Sequence, residues 1–100
     1  MKKSYKGGNN MDLQTKVAQL EGIDATELNG EKVMMNLDKG QYFVLNEVGS
    51  RIWDLIQVPK SIGEVVSELL QEYEIDEESC REAVYEFLGS MKDAEIIQVF

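Results

Sequence analysis

The spacing of apolar residues changes near the middle of the chain. From Thr15 to Leu45 apolar residues fall in short runs separated by Gly, Asn and Asp, the pattern of strands. Lys32 to Leu37 and Gln41 to Leu45 flank Asp38-Lys39-Gly40, whose glycine readily accepts a positive φ, so a hairpin is expected there. Thr15 to Leu20 has a mixed period and reads as an earlier strand, with Leu28 and an Asn29-Gly30 turn between. Beyond Leu45 the period becomes helical. Asn46 can cap a helix in which Val48, Ile52, Leu55 and Ile56 recur at i, i+4, i+7 and i+8 with Trp53 beside them. Pro59 prevents its simple continuation. Ser61-Ile62-Gly63-Glu64 has capping-box spacing, and Ile62, Val65, Val66, Leu69, Leu70 and Tyr73 follow as one apolar face. A third helix should start at Asp76, with Glu77 and Glu78 opposing the positive end of its dipole and Cys80, Val84, Phe87, Leu88 and Met91 as its stripe. Ile96 to Phe100 is either a last short strand or a packed tail.

This order implies an α+β chain, a winged helix-turn-helix with a three-stranded antiparallel sheet followed by three helices. One domain is expected over residues 12–100. Lys2, Lys3, Lys6 and the Gly7-Gly8-Asn9-Asn10 stretch make residues 1–11 read as a flexible basic tail. The apolar fraction, 43% of 100 residues, suffices for a single core.

Charge narrows the functions. The formal balance is -9, from 19 acids and 10 bases; without the tail's three lysines it becomes -12. Nucleic-acid affinity rests largely on cations neutralising phosphates, so no nucleic-acid partner is expected. The helix that would enter a groove carries Glu77, Glu78, Glu82 and Glu86, with only Arg81 and Lys92 as cations. No apolar run is long enough to span a bilayer, the N-terminus lacks a signal-peptide core, and a single cysteine fits a reducing compartment. A cytoplasmic protein without membrane contact is the expectation. There is no histidine, and Cys80 falls in register with the core residues Val84 and Phe87, so no catalytic site is expected. Glu64, Glu68 and Glu72 lie opposite an apolar face, where a solvated stripe is the ordinary explanation, and calcium-loop spacing is missing. No metal and no cofactor are expected.

The hairpin remains. Gln41 to Leu45 is more apolar than a half-exposed strand requires, and in a small sheet such a strand tends to lie at an edge, where an extended peptide can add itself. The ordered set Leu37-Asp38-x-Gly40-x-Tyr42-x-x-Leu45-Asn46-x-x-Gly49-x-x-Ile52-Trp53-x-Leu55, Ser61-Ile62-x-Glu64-Val65, Leu70-x-x-Tyr73 and Val84-x-x-Phe87-Leu88 resembles the PqqD-like family over about residues 33–97. That family supplies the RiPP recognition element, a leader-peptide-binding domain. The Leu-Asp-x-Gly hairpin and the Ile-Trp pair look most like the stand-alone recognition proteins of lasso peptide clusters.

The resemblance implies a non-catalytic adaptor. Its partners would be the leader of a ribosomally made precursor, a leader peptidase and possibly a cyclase, with the adaptor a monomer or weak dimer. Alternatives are a peptide carrier for a radical-SAM enzyme of the quinone-cofactor or sactipeptide type, or an acidic winged-helix regulator or interaction domain. In the family the leader adds to the third strand and fills a groove beside the third helix. Carried onto this chain, the leader-binding residues are Gln41, Tyr42, Phe43, Val44 and Leu45 on the strand and Arg81, Val84, Tyr85 and Leu88 on the helix. Alternation puts Phe43 and Leu45 on one face and Tyr42 and Val44 on the other. Val84 and Leu88 would serve core and groove, with Arg81 and Tyr85 at the rim. Between Glu64 and Glu95 there are 11 acids against Arg81 and Lys92, a field that favours a basic leader segment.

Overall fold

The computed structural model describes residues 11–29 and 31–100. The basic tail read over residues 1–11 therefore lies outside the described residues, apart from Met11, which packs on the core. The described residues form six strands and three helices in the order β1 (Lys16–Gln19), β2 (Asp24–Leu28), β3 (Glu31–Asn36), β4 (Gln41–Leu45), α1 (Glu47–Leu55), β5 (Lys60–Ser61), α2 (Ile62–Glu72), α3 (Glu77–Asp93) and β6 (Ile97–Val99). The α+β class, with a three-stranded antiparallel sheet and three helices, is what the sequence led one to expect.

The strands divide between two antiparallel sheets, β2-β3-β4 and β5-β1-β6. The expected hairpin is β3-β4, with Met34 opposite Phe43 and Met35 opposite Tyr42. Its closing loop is ordered by Asn36, a buried polar residue whose Oδ1 accepts the N–H of Asp38 at 3.1 Å, and by Gly40 at φ 64°. The third strand of this sheet is β2, in the interval read as turns. The strand expected near Thr15 exists but pairs elsewhere, with β5 and with β6 through Val17 and Val99. Of the two readings offered for residues 96–100, the strand is found.

Each helix begins where its cap stands. Asn46 Oδ1 accepts from the Gly49 N–H at 2.8 Å, the Ser61–Glu64 box is closed in both directions, and Asp76 accepts from the Ser79 N–H at 2.9 Å. The helices bury Ile52, Ile62, Val65, Leu69, Val84 and Leu88, with Ile56 at the C-cap of α1, in one core with Val17, Met34 and Ile96. Trp53 joins them at 3% exposure. Arg51 makes a bidentate pair with Glu72, Nε–Oε1 2.8 Å and Nη2–Oε2 2.7 Å, tying α1 to the end of α2. Lys32 on β3 reaches Asp54 on α1 at 3.3 Å.

Three of these contacts predict acid sensitivity. The Ser61 backbone N–H lowers the pKa of Glu64, the Arg51 guanidinium lowers that of Glu72, and the Ser79 N–H lowers that of Asp76. A carboxylate whose folded pKa is depressed contributes stability that is complete above its unfolded pKa and is lost as pH falls through the folded one. Denaturant midpoints should therefore hold near neutrality and fall as pH drops below the ordinary values of 4.5 for Glu and 3.8 for Asp. Asp76→Asn should flatten that decline.

Candidate peptide-binding site

β4 ends its sheet: one side pairs with β3, and no described strand occupies the other. Bonded and non-bonded pairs alternate along an antiparallel ladder. Counting from Asn36–Gln41, the pair that closes the hairpin, Met34–Phe43 and Lys32–Leu45 are the bonded pairs of this register. The N–H and C=O of Tyr42 and Val44 are thereby turned outward, to the free edge. Their side chains share the outer face of the sheet and are 68% and 53% exposed, whereas Leu45 is buried and Phe43 half-buried on the core face.

Beside this edge runs an open groove of about 760 Å³. β4 forms one wall through Tyr42 to Leu45, α3 forms the other through Ala83, Glu86, Phe87, Ser90 and Met91, and Val48, Gly49 and Ile52 of α1 form the floor. It adjoins a smaller apolar pocket of about 310 Å³ under the α2–α3 connection, which shares Val48, Ile75 and Ala83 with it and is closed by Leu69, Tyr73 and Cys80. The walls are mostly aliphatic or aromatic, with backbone donors and acceptors along one side, so the site can seat an extended chain with alternating apolar side chains.

Gly49 sets the depth of this groove. A Cβ there would lie 3.0 Å from Phe87 Cε1 and 3.2 Å from Asn46 Oδ1, so α1 and the Phe87 ring approach as closely as they do only because the side chain is absent. Phe87 itself lines the groove, so its side chain is the neighbour that must give way. Gly49→Ala should therefore keep stability within about 1 kcal/mol of the parent while pushing Phe87 into the groove. A thermal melt together with a peptide titration checks this; the expected result is a melting temperature within about 8 °C of the parent and weaker binding.

Of the strand residues assigned from the sequence, Tyr42 to Leu45 stand in the groove wall, and Gln41, at the start of β4, lies outside it. The helix residues are placed differently. Val84 and Leu88 are fully buried in the core, with 0% exposure, and touch no solvent. Arg81 and Tyr85 line a small depression with Glu78 and Glu82. Successive residues are separated by about 100° around a helix. Ala83, Phe87 and Ser90 therefore fall on one flank of the buried stripe, and Arg81 and Tyr85 on the other. It is the first flank that faces β4. Phe87 and Met91 had been assigned to the stripe alone; the small residues Ala83 and Ser90, spaced with Phe87 at i, i+4 and i+7, are the signal that marks its groove side.

Cys80 is buried, with Sγ 3.9 Å from the Val66 carbonyl oxygen. Desolvation, then Asp76 and Glu77, raise its thiol pKa, which is the reverse of activation as a nucleophile. α3 turns Glu77, Glu78, Glu82 and Glu86 to solvent, a surface that repels phosphate. Among the described residues no group of three metal-ligating side chains converges, and no helix is long and apolar enough to cross a membrane.

A solved structure described as TbiB1 in complex with the TbiA(beta) leader peptide superposes with a TM-score of 0.73 at 28% identity, covering 81% of this chain and 94% of that one. No curated protein sequence matches. The family described as coenzyme PQQ synthesis protein D (PqqD) matches residues 31–97, from the first residue of β3 to the first of β6. With two thirds of its length accounted for by that match, and with the fold in agreement, this chain belongs to the PqqD family.

Proposed function

We propose that this protein is a non-catalytic adaptor that binds the leader of a ribosomally made precursor peptide by strand addition to β4 and delivers it to a processing enzyme, a leader peptidase of a lasso peptide system. The observation that carries the reading is the free edge of β4 opening onto an apolar groove, in a chain that superposes on a protein solved with its leader peptide. The adaptor raises the local concentration of precursor at the enzyme and contributes no bond chemistry. It works in the cytoplasm as a monomer or weak dimer.

Magnitudes favour combined recognition by backbone and side chains. Submicromolar affinity requires about 8 kcal/mol, and ordering a disordered leader costs about 2–5 kcal/mol more. Backbone bonds to Tyr42 and Val44 contribute about 1 kcal/mol each, and each large apolar anchor about 1.5–3 kcal/mol. Two or three anchors in the groove are thus required in addition to the strand pairing.

A fluorescently labelled leader peptide of a lasso precursor, titrated with the protein and followed by anisotropy, tests the reading. Saturation at or below the low micromolar range is expected; no saturation at tens of micromolar contradicts it. The family's quinone-cofactor description favours a second reading, in which the same groove presents a peptide to a radical-SAM enzyme. Pull-down of the leader-loaded protein with each candidate enzyme separates the two.

A further inference from the structure

Glu86 stands apart in the groove. Of the described residues that line it, Glu86 alone is charged, while its polar companions Asn46 and Ser90 are neutral. It is exposed, and among the described residues no cation pairs with it: the ion pairs use Asp54, Glu68, Glu72, Glu77 and Glu95 instead. Among the described residues no cation lines the groove on the opposite wall, where β4 contributes Tyr42, Phe43, Val44 and Leu45. A strand added to β4 would cover this carboxylate and remove part of its water, which is costly unless the strand itself supplies a donor.

Resting on the peptide-binding reading above, we propose that Glu86 is the specificity-determining residue of the groove, selecting a peptide that carries Lys or Arg between two apolar anchors. Its position on α3 sets the spacing. Ala83 and Met91 bound the groove along the helix, eight residues apart, or about 12 Å at 1.5 Å per residue. An extended chain covers that distance in about four residues of 3.3 Å each. For a strand lying along the helix, side chains at i, i+2 and i+4 face the groove. The first and last meet apolar ends, at Ala83 with Ile75 and at Met91, and the middle one meets Glu86. The recognised pattern is apolar-x-Lys/Arg-x-apolar. The intervening residues face outward beside Tyr42 and Val44. An acidic residue at the middle position places like charges together in a partly desolvated site and is rejected.

The test is selection of a displayed library of random twelve-residue peptides on the parent protein, on Glu86→Lys and on Val44→Pro, each verified as folded by circular dichroism. The parent should enrich Lys or Arg between apolar residues spaced by four. Glu86→Lys should keep the apolar anchors and enrich Asp or Glu at the same position. Individual peptides with the cation changed to Gln should bind the parent about fivefold more weakly, the factor that corresponds to about 1 kcal/mol, with a smaller change on Glu86→Gln. Apolar anchors without a charge preference, or a cation preference that survives in Glu86→Lys, would overturn the inference and leave peptide binding intact. Failure of the parent to enrich any peptide over Val44→Pro would overturn both.

Discussion

Val44→Pro will weaken leader binding at least about tenfold in a domain that remains folded. Proline removes one backbone donor and sets a ring in its place. At position 44 that donor points away from β3, so the ladder holding the hairpin together, built on Asn36–Gln41, Met34–Phe43 and Lys32–Leu45, keeps its bonds. Edge strands accept proline for this reason. An incoming peptide loses a bond worth about 1 kcal/mol and meets the ring where its own carbonyl must sit, so affinity should fall at least about tenfold. Phe43→Pro supplies the contrast. Its donor points inward to Met34, and the substitution should lower the melting temperature as well as binding. Anisotropy and thermal melts on the two variants separate the outward from the inward position, and equal binding by Val44→Pro and the parent would mean that the edge is not used.

The second large effect divides α3 between stability and recognition. Leu88 is fully buried among core residues, and Leu88→Ala should cost about 2–5 kcal/mol, a large share of the 5–15 kcal/mol available to a small domain. At about 4–8 °C per kcal/mol, the melting temperature should drop by about 10 °C or more. Phe87, one residue earlier, is half-buried and lines the groove. Phe87→Ala should destabilise much less than Leu88→Ala but weaken leader binding by about tenfold or more, the share of one large apolar contact. Arg81→Ala, on the far flank and paired with Glu77 at 3.8 Å, should leave leader affinity within about threefold. If Arg81→Ala costs more binding than Phe87→Ala, the leader uses the opposite side of the helix.

These contrasts follow the boundary between what the chain displays locally and what only packing decides. The helix starts were legible because a cap is a relation between residues three apart: Asn46 with Gly49, Ser61 with Glu64, Asp76 with Ser79. The β3-β4 hairpin was legible through its short loop and alternation. β2 was not, because all five of its residues are exposed and it shows neither an apolar run nor a buried face. The partner of β1 was hidden for another reason: Val17 and Val99 meet across nearly the whole chain, and periodicity carries no information about such pairings. On α3 Cys80, Val84, Leu88 and Met91 are buried as the stripe led one to expect, whereas Phe87 turns to the groove, and which flank faces β4 depends on how α1 and α3 cross. Gly49 allows that crossing, and its role appears only once Phe87 is seen 3.0 Å from its missing Cβ.

Strand addition is the central claim, and amide hydrogen exchange of the leader-saturated protein, resolved by residue with NMR, tests it most directly. The amides of Tyr42 and Val44 should change from fast exchange to protection when the leader binds, while those of Phe43 and Leu45, already bonded to β3, change little. Leader binding that leaves Tyr42 and Val44 exchanging as in the free protein would contradict the account.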